Sequence, residues 1–223
     1  MVMWPTQIKP NVRNLSKLLI SRSTSMSKLP EAILLHAQSL SEGGVLSAKE
    51  FLHLGSRAAV DQALSRLSRE GRLLRVARGT YVTPVTTRFG TRAPSTGTVV
   101  HALSTRSGET VAPHGASAAN ALGLTRQVPI REVYLTSGAS RKLRLGHSEV
   151  SINHAPRWML ALGGPAGAAV RALAWMGPTH AKESLTTLRR TLAPSEWQKL
   201  AGARAGLPSW MARAIGEEVV RGR

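Results

Sequence analysis

Val60, Ala63, Leu64 and Leu67 recur at i, i+3, i+4 and i+7, a spacing that predicts an amphipathic helix over Arg57–Glu70 with one buried face. Ser56 stands at its N-cap position and Gly71 at its C-terminal stop. Upstream, Ser47 with Glu50 three residues later is a capping-box pattern for a short helix reaching about Leu52, and Leu54-Gly55 makes the turn between the helices. Downstream, Leu73-Leu74-Arg75-Val76 and Thr80-Tyr81-Val82 read as two short strands joined by Ala77-Arg78-Gly79. Pro30–Leu40 adds an amphipathic helix with proline in its first turn, ended by Ser41-Glu42-Gly43-Gly44. This order of elements predicts a winged helix-turn-helix over residues 27–83.

Thr83–Gly97, with Pro84, Gly90, Pro94 and Gly97, reads as a linker centred on residues 84–97. A second domain is expected over residues 98–223. Its predicted elements are helices over Thr98–Thr105 and Gly115–Leu122, a strand over Glu132–Thr136, and a hairpin of Lys142–Leu145 and Val150–Asn153 around Gly146. Four more helices are expected, over Ala166–Met176, Ala181–Leu192, Ser195–Ala205 and Ser209–Val220. Pro178, Pro194 and Pro208 fall near the starts of the last three, where proline is tolerated. The expected fold class is α+β and helix-rich, an N-terminal winged helix-turn-helix followed by a mixed α/β domain. Residues 1–26, polar and basic with Pro5 and Pro10, read as a loosely ordered arm. Such an arm either reaches DNA or, if translation starts at Met26, is an artefact of gene calling.

Charge points toward a polyanion. The chain carries 30 Lys+Arg against 12 Asp+Glu, a formal net charge of +18. Such an excess suits nucleic acid, whose phosphates supply most non-specific affinity. Off its buried face the predicted second helix presents Arg57, Gln62, Ser65, Arg66 and Arg69, and the hairpin adds Arg75 and Arg78. Arginine pairs bidentately with guanine edges and glutamine with adenine, so Arg57, Gln62 and Arg66 are the expected base-reading residues. Ser56, Ser65, Arg69, Arg75 and Arg78 are expected on phosphates. Arg141, Lys142 and Arg144 form a second basic patch, either a solvated face or a contact for phosphate or a partner protein. Alternatively, the helical hairpin and β-hairpin merely fold, with the arginines as a solvated face, and winged helices also serve as protein-binding modules.

Enzyme chemistry has little material, and no enzyme activity, cofactor or metal is expected. Asp61 is the sole aspartate, and Glu109, Glu132 and Glu149 are too scattered to nominate as a pair. None of the seven histidines (His36, His53, His101, His114, His147, His154, His180) forms a zinc-hydrolase pattern with a glutamate. His114, in Pro113-His114-Gly115 before a helix, either holds a phosphate or orders its loop, and His154 before Ala155-Pro156 has the same two readings. Gly163-Gly164-Pro165-Ala166-Gly167 lacks the Lys-Ser/Thr of a nucleotide-binding loop and reads as a loop entering a helix. Ser117, Ser137 and Ser140 have no nucleophile context. Trp158, Trp175, Trp197 and Trp210 read as core or interface anchors. Aromatics at 4% argue against a stacking platform for single strands. Zero cysteines exclude disulfides and fit a reducing compartment. No apolar run approaches the roughly 20 residues of a membrane span, so a cytoplasmic bacterial protein is expected.

The blocks FLHLGSRAAVDQALSRLSREGRLLRVARGTYV (Phe51–Val82) and VAPHGASAANALGLTRQVPIREVYLTSG (Val111–Gly138) resemble the AbiEi-type antitoxins of type IV toxin–antitoxin systems. The resemblance extends to HAPRWMLALGGPAG (His154–Gly167) and covers roughly residues 28–176. It implies a winged helix followed by an antitoxin domain. It also implies binding to repeats in the protein's own promoter, with repression of transcription. The C-terminal domain would oppose a nucleotidyltransferase-like toxin without a stable complex. The expected partners are therefore double-stranded DNA, such a toxin, and a second copy of the chain on paired half-sites. A toxin-neutralising interaction module and a solitary regulator without a toxin are the alternatives.

Overall fold

Leu29, Ile33, Leu34 and Ala37 bury one side of the first helix, α1 (residues 28–39), of the computed structural model, which describes residues 28–221. The basic arm expected over residues 1–26 and the alternative start at Met26 lie outside the described residues. A strand β1 (Val45–Ser47) follows, then the predicted short helix, a single 3-10 turn over Ala48–Phe51. The capping pattern is still used, since the Glu50 carboxylate accepts from the Ser47 N–H at 2.7 Å. Helix α2 (Arg57–Arg69) is capped by Ser56, whose Oγ accepts from the Ala59 N–H at 3.3 Å. It ends as the Arg72 N–H reaches the Leu67 carbonyl at 2.9 Å, with Gly71 at φ +72° making the left-handed turn.

Strands β2 (Leu74–Ala77) and β3 (Thr80–Val82) pair antiparallel around Gly79, with a bulge between Arg75 and Ala77. β1 adds to the other side of β3, giving the sheet order β1-β3-β2. Val60, Ala63, Leu64 and Leu67 of α2 pack with Ile33, Ala37, Leu46, Phe51, Leu73 and Tyr81 in one core. Full burial of each such leucine contributes about 1.5–3 kcal/mol, so this face of α2 is what holds the helix in place. The stretch predicted as a linker is structured. β4 (Val85–Thr87) and β5 (Gly90–Arg92) form a hairpin there, with Phe89 at its tip 86% exposed beneath the Arg88 guanidinium.

The chain divides into two units, Met1–Pro94 and Ser95–Arg223. The second opens with α3 (Thr96–Ser107), capped by Ser95 and stopped by Gly108 at φ +68°. A four-stranded sheet comprises β6 (Val111–Pro113), β7 (Val133–Thr136), β8 (Arg141–Leu145) and β9 (Ser148–His154). Its order is β6-β7-β9-β8, with β7 and β9 parallel and the other pairs antiparallel. Between β6 and β7 lies α4 (Gly115–Ala121). After the sheet come α5 (Arg157–Leu160), α6 (Gly164–Met176), α7 (Ala181–Thr191), α8 (Pro194–Gly202) and α9 (Ser209–Arg221). The predicted end of α8 is instead a 3-10 turn over Ala203–Gly206. α6 is the centre of this unit. Ala166, Ala169, Val170 and Leu173 pack with Leu185, Leu188, Leu200, Met211 and Ile215 from the helices that follow. The molecule is thus mixed α+β, and no described helix is long and apolar enough to cross a membrane.

Candidate nucleic-acid interface

Because α2 spends Val60, Ala63, Leu64 and Leu67 on the core, its other side presents Arg57, Gln62, Ser65, Arg66 and Arg69, all exposed. These are the residues the helical period predicts there. Two of the arginines are engaged within the helix. The Arg57 Nε donates to Asp61 Oδ2 at 2.8 Å, and the Arg66 Nε lies 3.9 Å from Glu70 Oε1. Both pairs are exposed, and exposed pairs of this kind are worth about 0–1 kcal/mol, so a stronger acceptor displaces them at little cost. Among the described residues Arg69 has no ion pair, and neither do Arg72, Arg75 and Arg78 on the turn and hairpin after it. These four unpaired cations fall within ten consecutive positions, each of them exposed. Arg72 is not singled out by periodicity, because it lies in the turn between α2 and β2. Its position beside the stop glycine is the signal that could have found it.

A groove of about 310 Å³ runs beside α2, lined by Leu29 and Pro30 of α1 and by Ala59, Gln62, Arg66 and Arg69. Gln62 and Arg66 therefore sit at an apolar edge as well as on a basic face.

The second predicted basic patch is largely compensated. The Arg141 guanidinium is 2.7 Å from Glu109 Oε2, and that carboxylate also accepts from the buried Thr136 hydroxyl at 2.9 Å. The hydrogen bond from Arg141 comes first, and then that from Thr136, in holding the Glu109 carboxyl below its usual range against the cost of burial. Lys142 pairs with Glu149 at 2.8 Å. Of the three, only Arg144 makes no ion pair among the described residues.

His114 is the N-cap of α4, its Nδ1 accepting from the Ala116 N–H at 3.2 Å. His154 Nδ1 faces the Gly138 carbonyl at 2.9 Å, which makes it the donor in that contact. The glycine run starts α6 with Gly163 as its cap, and the Glu196 carboxylate from α8 accepts from the Ala166 N–H at 2.9 Å. A carboxylate thus occupies the place a phosphate would need. Trp158, Trp197 and Trp210 pack on the core of the second unit, whereas Trp175 is 39% exposed. No cluster of three or more His, Asp or Glu that could hold a metal occurs among the described residues.

The chain belongs to DUF6088, a family of unknown function, whose model matches residues 32–194 and so spans parts of both units. Among solved structures it is similar to the RV2827C protein from Mycobacterium tuberculosis, at 17% identity over 89% of this chain and 77% of the other, with a TM-score of 0.48. No curated protein matches the chain.

Proposed function

We propose that the N-terminal unit is a winged helix-turn-helix and that the protein is a sequence-specific, double-stranded-DNA-binding transcriptional repressor acting in the cytoplasm. The observation that carries this reading is that Arg69, Arg72, Arg75 and Arg78, at the end of α2 and on the turn and hairpin that follow it, are all exposed and make no ion pair among the described residues. In this reading α2 enters the major groove, where Arg57, Gln62 and Arg66 address base edges. Ser56, Ser65, Arg69, Arg75 and Arg78 hold phosphates and fix the register. As an AbiEi-type antitoxin the protein would repress its own promoter, while the C-terminal unit opposes a nucleotidyltransferase-like toxin.

Selection of random duplex DNA at roughly physiological salt tests this. The expected result is a defined motif, lost in the Arg57→Ala/Arg66→Ala variant. Salt-sensitive binding with no enriched motif would sink the sequence-reading role. The groove edged by Leu29, Pro30 and Ala59 favours a second reading, in which this face binds a protein and the chain acts as a toxin-neutralising module. That reading gains ground if no motif is enriched and rescue from a co-expressed toxin survives the same arginine substitutions.

A further inference from the structure

Arg171 is the single charged residue of α6, and it is only 6% exposed. Its Nε donates to the Pro113 carbonyl at 3.0 Å and its Nη1 to the Met159 carbonyl at 3.4 Å. No carboxylate pairs with it among the described residues. Burying a guanidinium without a counter-charge is costly, and backbone carbonyls offset only part of that cost. Consistently, burial lowers its pKa. The third nitrogen, Nη2, makes no hydrogen bond among the described residues, yet it is not a fully buried unsatisfied atom, so it reaches accessible space. Arg171 lines a cavity of about 380 Å³ together with His114, His154, Met159 and Trp175.

His114 contributes a second donor. Because its Nδ1 accepts from the Ala116 N–H, the ring proton sits on Nε2 in the neutral form, and burial of the ring favours that form. The wall is fixed rather than loose. α4 meets α6 so closely that a Cβ on Gly115 would run into the Arg171 carbonyl oxygen and lie 2.7 Å from Trp175 Cβ. Trp175 is left part-exposed at the edge, beside Met159 and Ala155.

We infer that this cavity binds a small organic carboxylate, its head on Arg171 and His114 and its apolar body against Trp175 and Met159. One free guanidinium end and one imidazole N–H match the two oxygens of a monoanion. A phosphate carries more acceptor oxygens than these two donors serve. The volume lies near the lower end for small-molecule sites, about 300–1,000 Å³, so the ligand is compact. The site stands apart from any role of the N-terminal unit.

The full chain is titrated with cyclohexanecarboxylate, its neutral amide cyclohexanecarboxamide, and inorganic phosphate, at constant ionic strength made up with chloride. Binding is read from tryptophan emission and from ligand-observed NMR. A saturable response to the carboxylate is expected, at least about tenfold weaker for the amide, because a hydrogen bond to a charged group is worth that much. His114→Asn keeps a good N-cap acceptor but loses the Nε2 donor, so it should fold and bind several-fold more weakly. Arg171→Lys should weaken binding further where it folds, and Trp175→Phe should lose the emission change while NMR still reports binding. No saturable response, equal response to the amide, tighter binding of phosphate, or undiminished binding by folded His114→Asn each overturns the assignment.

Discussion

Asp61 sits one helical turn beyond Arg57 and takes its Nε–H at 2.8 Å, so the first base-reading candidate competes with a carboxylate of its own helix. Removing that acceptor frees the guanidinium and deletes a negative charge from the face offered to phosphate. Asp61→Asn is therefore expected to tighten binding to the selected duplex, measured by anisotropy at fixed salt. Weaker binding would mean that the pair holds Arg57 in a required orientation. Arg66→Ala is expected to cost about 1–3 kcal/mol on the cognate site and to blur preference at one base pair. Affinity equal to the parent would remove Arg66 from the reading surface. At this scale much was legible. The i, i+4 spacing of Arg57–Asp61 and Arg66–Glu70 announces both pairs. Arg171 was less visible, because a lone arginine in a helix normally faces water. The clue was that α6 is otherwise apolar all round, the mark of a buried helix.

Among elements, long amphipathic helices were readable, as were the short strands β2, β3 and β7, whereas β1 and β6 were not. α2 shows its period, its Ser56 cap and its Gly71 stop in one continuous segment. β1 and β6 are three residues each, too short to display alternation, and each is defined by a partner more than twenty residues away. The β4–β5 hairpin hid in a Pro- and Gly-punctuated stretch because turn residues announce a reversal and a linker alike. The β2–β3 hairpin carries Arg78 at its turn, outside the helix proposed to read bases. Arg78→Ala should weaken all duplex sequences alike and reduce the salt slope by about one. A loss confined to one sequence would instead make it a reader. Just before β6, Glu109 is held by Arg141 of β8 and Thr136 of β7, and its carboxyl is stabilised in the charged form. A carboxyl whose folded pKa is depressed contributes stability above its unfolded pKa, about 4.3. That contribution is lost as pH falls through the lower folded value. Denaturant midpoints of wild type should thus fall more steeply than those of Glu109→Gln below about pH 4.5. Parallel curves would show that the pair adds nothing.

Across the whole chain the two units are equally basic by count yet differ in arrangement. Residues 1–94 hold 14 basic and 5 acidic residues, and residues 95–223 hold 16 and 7. In the second unit Arg141, Lys142, Lys199 and Arg221 are each paired with a glutamate, and Arg171 is buried. Its other described cations are spread over α3, the segment between α4 and β7, the β8–β9 hairpin, and the helices and turns from Arg157 to Arg213. In the first unit, Arg69, Arg72, Arg75 and Arg78 follow one another within ten residues, exposed and without ion pairs among the described residues. Screening at physiological salt acts over about 8 Å, so only cations close to the duplex contribute, and the salt dependence of binding counts them. Each neutralised phosphate steepens the dependence of log affinity on log salt by about 0.9. If the second unit adds no phosphate contacts, the full chain and residues 1–94 alone should give slopes within about one unit of each other on the same duplex. A full-chain slope steeper by about two or more would place the C-terminal unit on the DNA as well. Arg144, the unpaired member of its hairpin, would then be the first residue to substitute.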